Sequence, residues 1–468
     1  MLKTFLIALM VCAAPTAATA ASMQLETPAR PGAFWPMPDA LPSRAAVAAP
    51  VATESLRFDS LAALTDHALR TRAESRAAWL GIEAEAARLD AASAANWPTL
   101  TGQFNFTRSQ ALSSSGASVP VLHRYGPSLG LAYVLYDFGA RAAGIDAQRY
   151  QLIATLLNNN RALQDIVTGV ETAWFAVQAA RSQVAAQTQQ LAALGASLDA
   201  VDVRVRGGLA ARADALRARA ALAEAELARN AAARDLGKAE AALKQAAGIA
   251  QTQTLALDWP NALPPDLDAA TLLADLLAEA ERQRPDLHAL RAAALRAKSE
   301  AERARASRWP SLALAANAGR TLFLEDERSP SNTYNVGVTL SVPLFDGGRL
   351  AADARAAERD AERLAAAADA QQQTVALEVV QAFEDVRYAQ SARAGITLQF
   401  DSADESARAA EARYKAGVGS LLEWLTAQAD LARARQAQAQ ADSDWLAAFS
   451  RLNHALGRLP AALTESSL

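Results

Sequence analysis

A strand-to-helix joint occurs twice in this chain, and it restricts the possible folds more than any other feature. The first copy runs Tyr133-Val134-Leu135-Tyr136-Asp137-Phe138-Gly139-Ala140-Arg141, the second Val342-Pro343-Leu344-Phe345-Asp346-Gly347-Gly348-Arg349. Each reads as an amphipathic strand, an aromatic residue, an Asp, a glycine turn and a long alanine-rich helix. Asp137 and Asp346 suit the free amides of a first helical turn, so both are expected to be caps. Gly139, Gly347 and Gly348 let the backbone turn sharply between the two kinds of structure.

The flanking sequence repeats as well. A helix expected from 61 to about 95 stops at Asn96-Trp97-Pro98, because the residue before a proline is pushed out of the helical region. The period then falls to two: Leu100, Gly102, Phe104 and Phe106 share one face, and Thr101, Gln103, Asn105 and Thr107 the other. After a Ser-rich loop at 109–118, Leu129, Leu131, Tyr133 and Leu135 share a face opposite Ser128, Gly130 and Ala132. This predicts a β-hairpin at about 98–136. In the second half, Trp309-Pro310-Ser311-Leu312 matches Trp97-Pro98-Thr99-Leu100, and Arg284-Pro285-Asp286 falls where Arg72-Ala73-Glu74 did. Tyr334, Val336, Val338, Leu340 and Val342 alternate with Asn335, Gly337, Thr339 and Ser341, giving a second hairpin at about 310–344 with a polar loop at 325–330.

From 140 to about 205 the chain has no proline. A helix of that length reaches about 100 Å, which makes it a rod and not a core element. Leu191, Leu194, Leu198, Val201 and Val205 near its far end have coiled-coil spacing. Arg206-Gly207-Gly208-Leu209 breaks the rod before a return helix at about 210–247, and Arg413-Tyr414-Lys415-Ala416-Gly417-Val418-Gly419 breaks the second. A shift of 209 residues maps Trp174 onto Phe383, Gly208 onto Gly417 and Gly248 onto Gly457. The expected layout is a signal peptide at 1–20, a Pro/Ala-rich extension at 21–55, repeats at 56–259 and 260–459, and a tail at 460–468.

The 468 residues are 51% hydrophobic, dominated by alanine and leucine, and only 6% aromatic, a composition suited to closely packed helices. Lys3, the apolar run 5–11 and Ala18-Thr19-Ala20 describe a secretory signal too short to span a bilayer. The single cysteine, Cys12, leaves with that signal, and Val11 before it argues against a lipid anchor. A net charge of −4 gives no basic surface for nucleic acid. None of His67, His123, His288 and His454 has a second ligand at helical spacing, Gly417-Val418-Gly419 lacks the third glycine of a dinucleotide loop, and no Walker motif occurs. No metal, cofactor or catalysis is therefore expected.

With no apolar run of about 20 residues, membrane insertion would require a β-barrel. Four strands cannot close one, and the smallest membrane barrels have about eight. Two copies would give a barrel filled by its own side chains, and three would give twelve strands and a lumen. With rods continuing from one rim, the result is a duct. A periplasmic coiled-coil scaffold or adaptor is the alternative; it would explain the signal and the rods, but it needs neither two amphipathic hairpins nor two equal halves.

The doubled order of Trp-Pro-x-Leu strand, Phe/Tyr-Asp-x-Gly joint, long helix and Arg-x-x-x-Gly tip resembles the TolC-type outer-membrane factors of Gram-negative bacteria, over about 56 to 459. The resemblance implies a mixed α/β membrane protein, mostly α, with four transmembrane strands per protomer. A homotrimer would form a twelve-stranded barrel in outer-membrane lipid and a helical barrel in the periplasm. It also implies the exit duct of a tripartite system with a periplasmic adaptor and an inner-membrane transporter, small-molecule efflux being favoured over type I protein secretion. Gly207, Gly208, Leu209, Gly417, Val418 and Gly419 become adaptor-contacting tips, Asp214 and Tyr414 a tip latch, and Glu423 an acidic ring at the aperture. Thr426 stands where a second acid is expected, and Gly419 where a latch arginine is. Without the resemblance, Glu423 reads as a solvated helix residue and Tyr414 as an aromatic anchoring a helix end. Phe104, Phe106, Leu129, Leu131, Tyr133, Val336, Val338 and Leu340 are expected to face lipid.

Overall fold

The computed structural model describes residues 56–110, 121–257, 272–324 and 329–458. The signal segment with Cys12, the Pro/Ala-rich extension, the tail and most of the two hairpin loops lie outside the described residues. The first half runs β1 (Leu56–Phe58), α1 (Leu61–Thr71), α2 (Ala73–Ser93), β2 (Thr99–Ser109), β3 (Leu122–Tyr136), α3 (Ala140–Arg206), α4 (Arg212–Ala246) and β4 (Leu255–Leu257). The second half runs α5 (Leu273–Gln283), α6 (Pro285–Ala306), β5 (Ser311–Phe323), β6 (Ser331–Ser341), α7 (Arg349–Lys415) and α8 (Leu421–Leu456). The two rods, α3 and α7, each have 67 residues. Among the described residues no helix is long and apolar enough to cross a membrane.

The joints fold alike. Asp137 accepts hydrogen bonds from the amides of Gly139 (3.2 Å) and Arg141 (2.8 Å), and Asp346 from those of Gly348 (3.0 Å) and Leu350 (2.7 Å). Gly139 and Gly348 adopt left-handed φ of 91° and 86°. The residue before each is also left-handed: Gly347 at φ 70° in the second joint, but Phe138 at φ 52° in the first. That conformation costs a side-chain-bearing residue about 1–2 kcal/mol. Phe138 offsets it by stacking on Trp309 (5.6 Å between ring centroids) and meeting Tyr136 edge-on (4.8 Å).

The four long strands form one antiparallel sheet in the order β2-β3-β5-β6. Directly opposed residues project to the same side of a sheet. Leu100 lies opposite Leu131, Gly102 opposite Leu129, Phe104 opposite Pro127, and Phe106 opposite Tyr125. Across the next seams Leu131 meets Ala316 and Tyr133 meets Leu314, while Val336, Val338 and Leu340 meet Ala316, Leu314 and Leu312. The eight residues expected to face lipid therefore share one apolar face, and Thr101, Gln103, Asn105, Asn317, Asn335 and Thr339 share the other. Leu135 departs from the expected alternation. The register steps from Val134↔Ala313 to Tyr136↔Leu312, a β-bulge that gives Tyr136 the place opposite Leu312.

A second correction concerns the helix expected at 61–95, which is two helices. Arg72 is extended (φ −65°, ψ 136°), and the Ser75 hydroxyl donates to the carbonyls of Leu69 and Arg72 across the corner. The second half has the same corner at Arg284, where Pro285 opens α6. Both corners pack on a core shared by α1 and α3 to α8, with Leu64, Val170, Trp174, Leu287, Val379, Trp445 and Leu456 at its centre. The three-residue strands β1 and β4 pair in parallel beside it. Arg284, 1% exposed, holds Asp286 through two hydrogen bonds (2.8 and 2.6 Å), Glu378 (2.7 Å) and the Ala455 carbonyl (3.1 Å). Gly457 ends α8 in a left-handed turn against this corner; a Cβ there would lie 2.8 Å from the Gln283 carbonyl oxygen.

The helices pack in rows. Toward the sheet, α2 lies on α3, α3 on α6, and α6 on α7; toward the tips, α4 lies on α3, α3 on α8, and α8 on α7. Each row has two outer members, as the sheet has two edge strands.

Two outcomes follow. Asp137→Ala removes two bonds to helix-end amides and is expected to cost about 1 kcal/mol in thermal unfolding of the detergent-solubilised protein. At Asp286 burial opposes ionisation, but the Arg284 hydrogen bonds and charge outweigh it and hold the carboxyl below its ordinary range. A depressed folded pKa gives stability that is present above the unfolded value and lost as pH falls through the folded one. Acid below about pH 4 should therefore weaken this corner, and Asp286→Asn should cost on the order of 2 kcal/mol at neutral pH and remove that acid dependence.

Candidate tips and aperture

The two tips are built by the same bonds. In the first, the amides of Gly207, Gly208 and Leu209 donate to the carbonyls of Val203, Val205 and Arg204. In the second, Ala416, Gly417 and Val418 donate to Ala412, Tyr414 and Arg413. Gly208 and Gly417 are left-handed at φ 74° and 79°. Arg413, Tyr414 and Lys415, expected within the second break, instead form the last turn of α7, and the chain leaves the helix at Ala416. Leu209 and Val418 project from the tips as exposed hydrophobics. Gly419 is closely packed: a Cβ would lie 3.0 Å from the Arg413 Cβ and 3.1 Å from the Tyr414 amide nitrogen. An arginine at this position would need the end of α7 to shift by a few tenths of an ångström.

Glu423 lies in the first turn of α8, where its amide donates to the Ser420 hydroxyl (3.1 Å), and its side chain is exposed. It is not a free charge: Arg413 Nη1 donates to Glu423 Oε1 at 2.6 Å. Thr426 follows one turn on, also exposed. Tyr414 is 6% exposed, stacked on Trp424 with centroids 5.0 Å apart, in a cluster with Val201, Ala215, Ala410, Leu421 and Leu431. Burial pushes its phenol pKa up; the Arg204 charge opposes this and the Asp214 charge adds to it. Asp214 is thus close to Tyr414 but not bonded to it. The Tyr414 hydroxyl has no hydrogen-bond partner among the described residues, and Asp214 pairs with Arg217 (3.6 Å).

Sequence reading missed Arg204, at the end of α3. Its Nη1 donates to the Tyr414 carbonyl at 2.6 Å, and its guanidinium lies 4.8 Å from the centre of the Tyr414 ring. The cation thus satisfies a carbonyl at the C-terminal end of α7, where positive charge is favoured, and ties one tip to the other. The signal was available: the shift of 209 places Arg204 on Arg413 and Asp214 on Glu423. The repeats have diverged here, since Arg413 bonds within its own tip and Arg204 bonds across to the other. Among the described residues no group of three or more His, Cys, Asp and Glu could hold a metal ion.

A one-sided apolar sheet with two open edges, bearing two 67-residue helices that turn back at matched tips, defines an outer-membrane channel subunit. The chain belongs to the outer membrane efflux protein family, whose model matches residues 64–249 and again 276–458, once in each half. It is 30% identical over 404 residues to Protein CyaE of Bordetella pertussis, covering 84% of this chain and 83% of that one. It is 26% identical over 430 residues to the solvent efflux pump outer membrane protein SrpC of Pseudomonas putida, covering 88% of each. A solved membrane protein from Pseudomonas aeruginosa shares the fold with a TM-score of 0.78 at 25% identity, over 86% of this chain and 91% of that one. The protein is an outer-membrane export channel.

A charge-assisted hydrogen bond of this kind contributes about 1.5–3 kcal/mol. Arg204→Ala should therefore raise the rate of limited proteolysis at 413–420 about tenfold or more, with partial protection restored by Arg204→Lys. Unchanged cleavage would show that the contact does not hold the tips.

Proposed function

We propose that three copies of this chain close into a twelve-stranded barrel continued by a helical barrel, forming the passive exit duct of a tripartite export system. The observation that carries this reading is the sheet itself, apolar on one face, polar on the other and unpaired along β2 and β6. A bare strand edge in hydrocarbon costs several kcal/mol per unpaired group, and three four-stranded sheets are the smallest assembly that leaves a lumen. The polar face with Thr101, Gln103, Asn105, Asn317 and Asn335 then lines the pore, and the apolar face meets lipid. The tips at Gly207, Gly208, Leu209, Gly417, Val418 and Gly419 point into the periplasm, where exposed Leu209 and Val418 offer contacts to an adaptor joined to an inner-membrane transporter. The transporter selects the cargo; small molecules are the proposed class, in keeping with the solvent efflux relative.

At the periplasmic entrance, Glu423 and Thr426 from three copies would form the aperture, with the Asp214–Tyr414–Arg204 neighbourhood holding the tips closed. Three like charges around a narrow axis repel anions and favour cations. The pairing with Arg413 moderates that field, which makes opposite effects measurable. In planar bilayers Glu423→Ala should lower cation selectivity several-fold and Arg413→Ala should raise it. If trimers conduct and neither variant changes selectivity, the aperture lies elsewhere on the duct. A protein that stays soluble without detergent and never conducts would instead be the coiled-coil scaffold.

A further inference from the structure

We propose that Arg108 and Arg320 form a cationic belt on the apolar face of the sheet, at its loop end, and that this belt binds the phosphate groups of outer-leaflet lipid. The proposal rests on the reading that the apolar face meets lipid, and it names the headgroup chemistry that face takes.

The four long strands contain no Asp or Glu, and their arginines are Arg108, Arg124 and Arg320. The register divides these three between the faces. Arg124 lies opposite Thr107 on the polar face, and its Nη2 donates to the Ser109 hydroxyl (3.0 Å). Arg108 continues the row of Leu100, Phe104 and Phe106 on the apolar face, opposite His123. Arg320 continues the row of Leu314, Ala316 and Ala318 on that same face, opposite Asn332. Both side chains are exposed, and neither has a hydrogen bond or ion pair among the described residues.

The internal repeat makes the two positions equivalent. The shift of 212 that carries Trp97 onto Trp309 also carries Arg108 onto Arg320, and the shift of 209 carries Tyr125 onto Tyr334. Each hairpin therefore ends its apolar face in the same order. Tyr125 lies opposite Phe106 and is followed by the row of Arg108; Tyr334 lies opposite Ala318 and is followed by the row of Arg320. The rest of the strand has diverged, with Ala316 and Ala318 standing where Phe104 and Phe106 do, but the cation is present in both copies.

The height of the row explains how a cation can stand on this face. From Leu100 to Arg108 a strand advances about 26 Å at about 3.3 Å per residue. Tilted by about 35–45°, it climbs roughly 20 Å, close to the apolar band of about 25 Å of a membrane barrel. An arginine facing lipid is costly at mid-membrane and nearly free at the interface, so Arg108 and Arg320 belong at the rim. The opposite ends of the strands pass into the helices, which places this rim in the outer leaflet. There the guanidinium fork matches a phosphate, and the tyrosine one row below has the amphipathic ring that suits a headgroup boundary. No carboxylate on the strands competes for the cation. The nearest in sequence are Glu325, Asp326 and Glu327, which lie outside the described residues.

The test titrates the protein, purified in an uncharged detergent, with diphosphoryl lipid A and with its dephosphorylated form, counting bound lipid by native mass spectrometry. The wild type should bind the diphosphoryl form at least about tenfold more tightly, the size expected for charge-assisted hydrogen bonds. Arg108→Gln with Arg320→Gln should abolish that preference, and Arg124→Gln, on the other face, should keep it. The double variant should still conduct in planar bilayers as the wild type does. If it does not assemble, each single variant should lose part of the preference. Variants that keep the full preference would overturn the proposal, as would displacement of the lipid by an equal concentration of inorganic phosphate, which would mark a free-anion site. A preference that emerges only in Glu325→Gln with Asp326→Asn and Glu327→Gln would also overturn it, by showing that the chain's own loop occupies the arginines. A protein that binds neither lipid and stays soluble without detergent would instead remove the lipid-facing reading itself.

Discussion

Everything in this architecture depends on the backbone amides and carbonyls along two strand edges. In water, an open edge on β2 or β6 can bond to solvent; in hydrocarbon it cannot, and each orphaned group costs several kcal/mol. The chain has only one amphipathic hairpin per half, so it cannot satisfy both edges itself. In the proposed duct, closure comes from another copy, and the sheet's apolar face is the side that meets lipid. The proposed pore, its lining and the axis along which the helices extend would all be consequences of that one deficit.

The helices carry the same logic out of the membrane. Each capped joint converts a strand directly into a rod: Asp137 and Asp346 hold the first free amides, so the helix starts without a flexible linker. The direction of the sheet is thereby passed to the helical rows. Those rows are open at both sides too, with α7 at one side and α2 or α4 at the other. At the far end the two halves cease to be equivalent. Arg413 stays with Glu423 in its own tip, while Arg204 reaches the carbonyl and ring of Tyr414 in the other. A duplicated fold has acquired asymmetry where a gate would need it.

Much of this could be read from the residues because it is periodic or repeated. The apolar face of the sheet follows from a period of two, the rods from long proline-free runs, and the caps from Asp followed by glycine at both joints. What could not be read depends on single contacts without a period. Strands β1 and β4 are three residues each, too short to alternate. The corner at Arg72 lacks the proline that marks its counterpart at Arg284, so helical spacing on both sides concealed it. The bulge at Leu135 interrupts an alternation that the sequence continues without a break. At the tips, the resemblance pointed to Tyr414, Asp214 and Glu423, but their partners Arg204 and Arg413 are set by the fold. Their side chains reach ten residues or more along the chain, a distance that no local pattern spans.

The central claim is that three copies complete what one leaves open. Native mass measurement of the protein extracted from the outer membrane in detergent tests it most directly. A particle of three chains is the result this account predicts; a stable, conducting particle of one or two chains would contradict it.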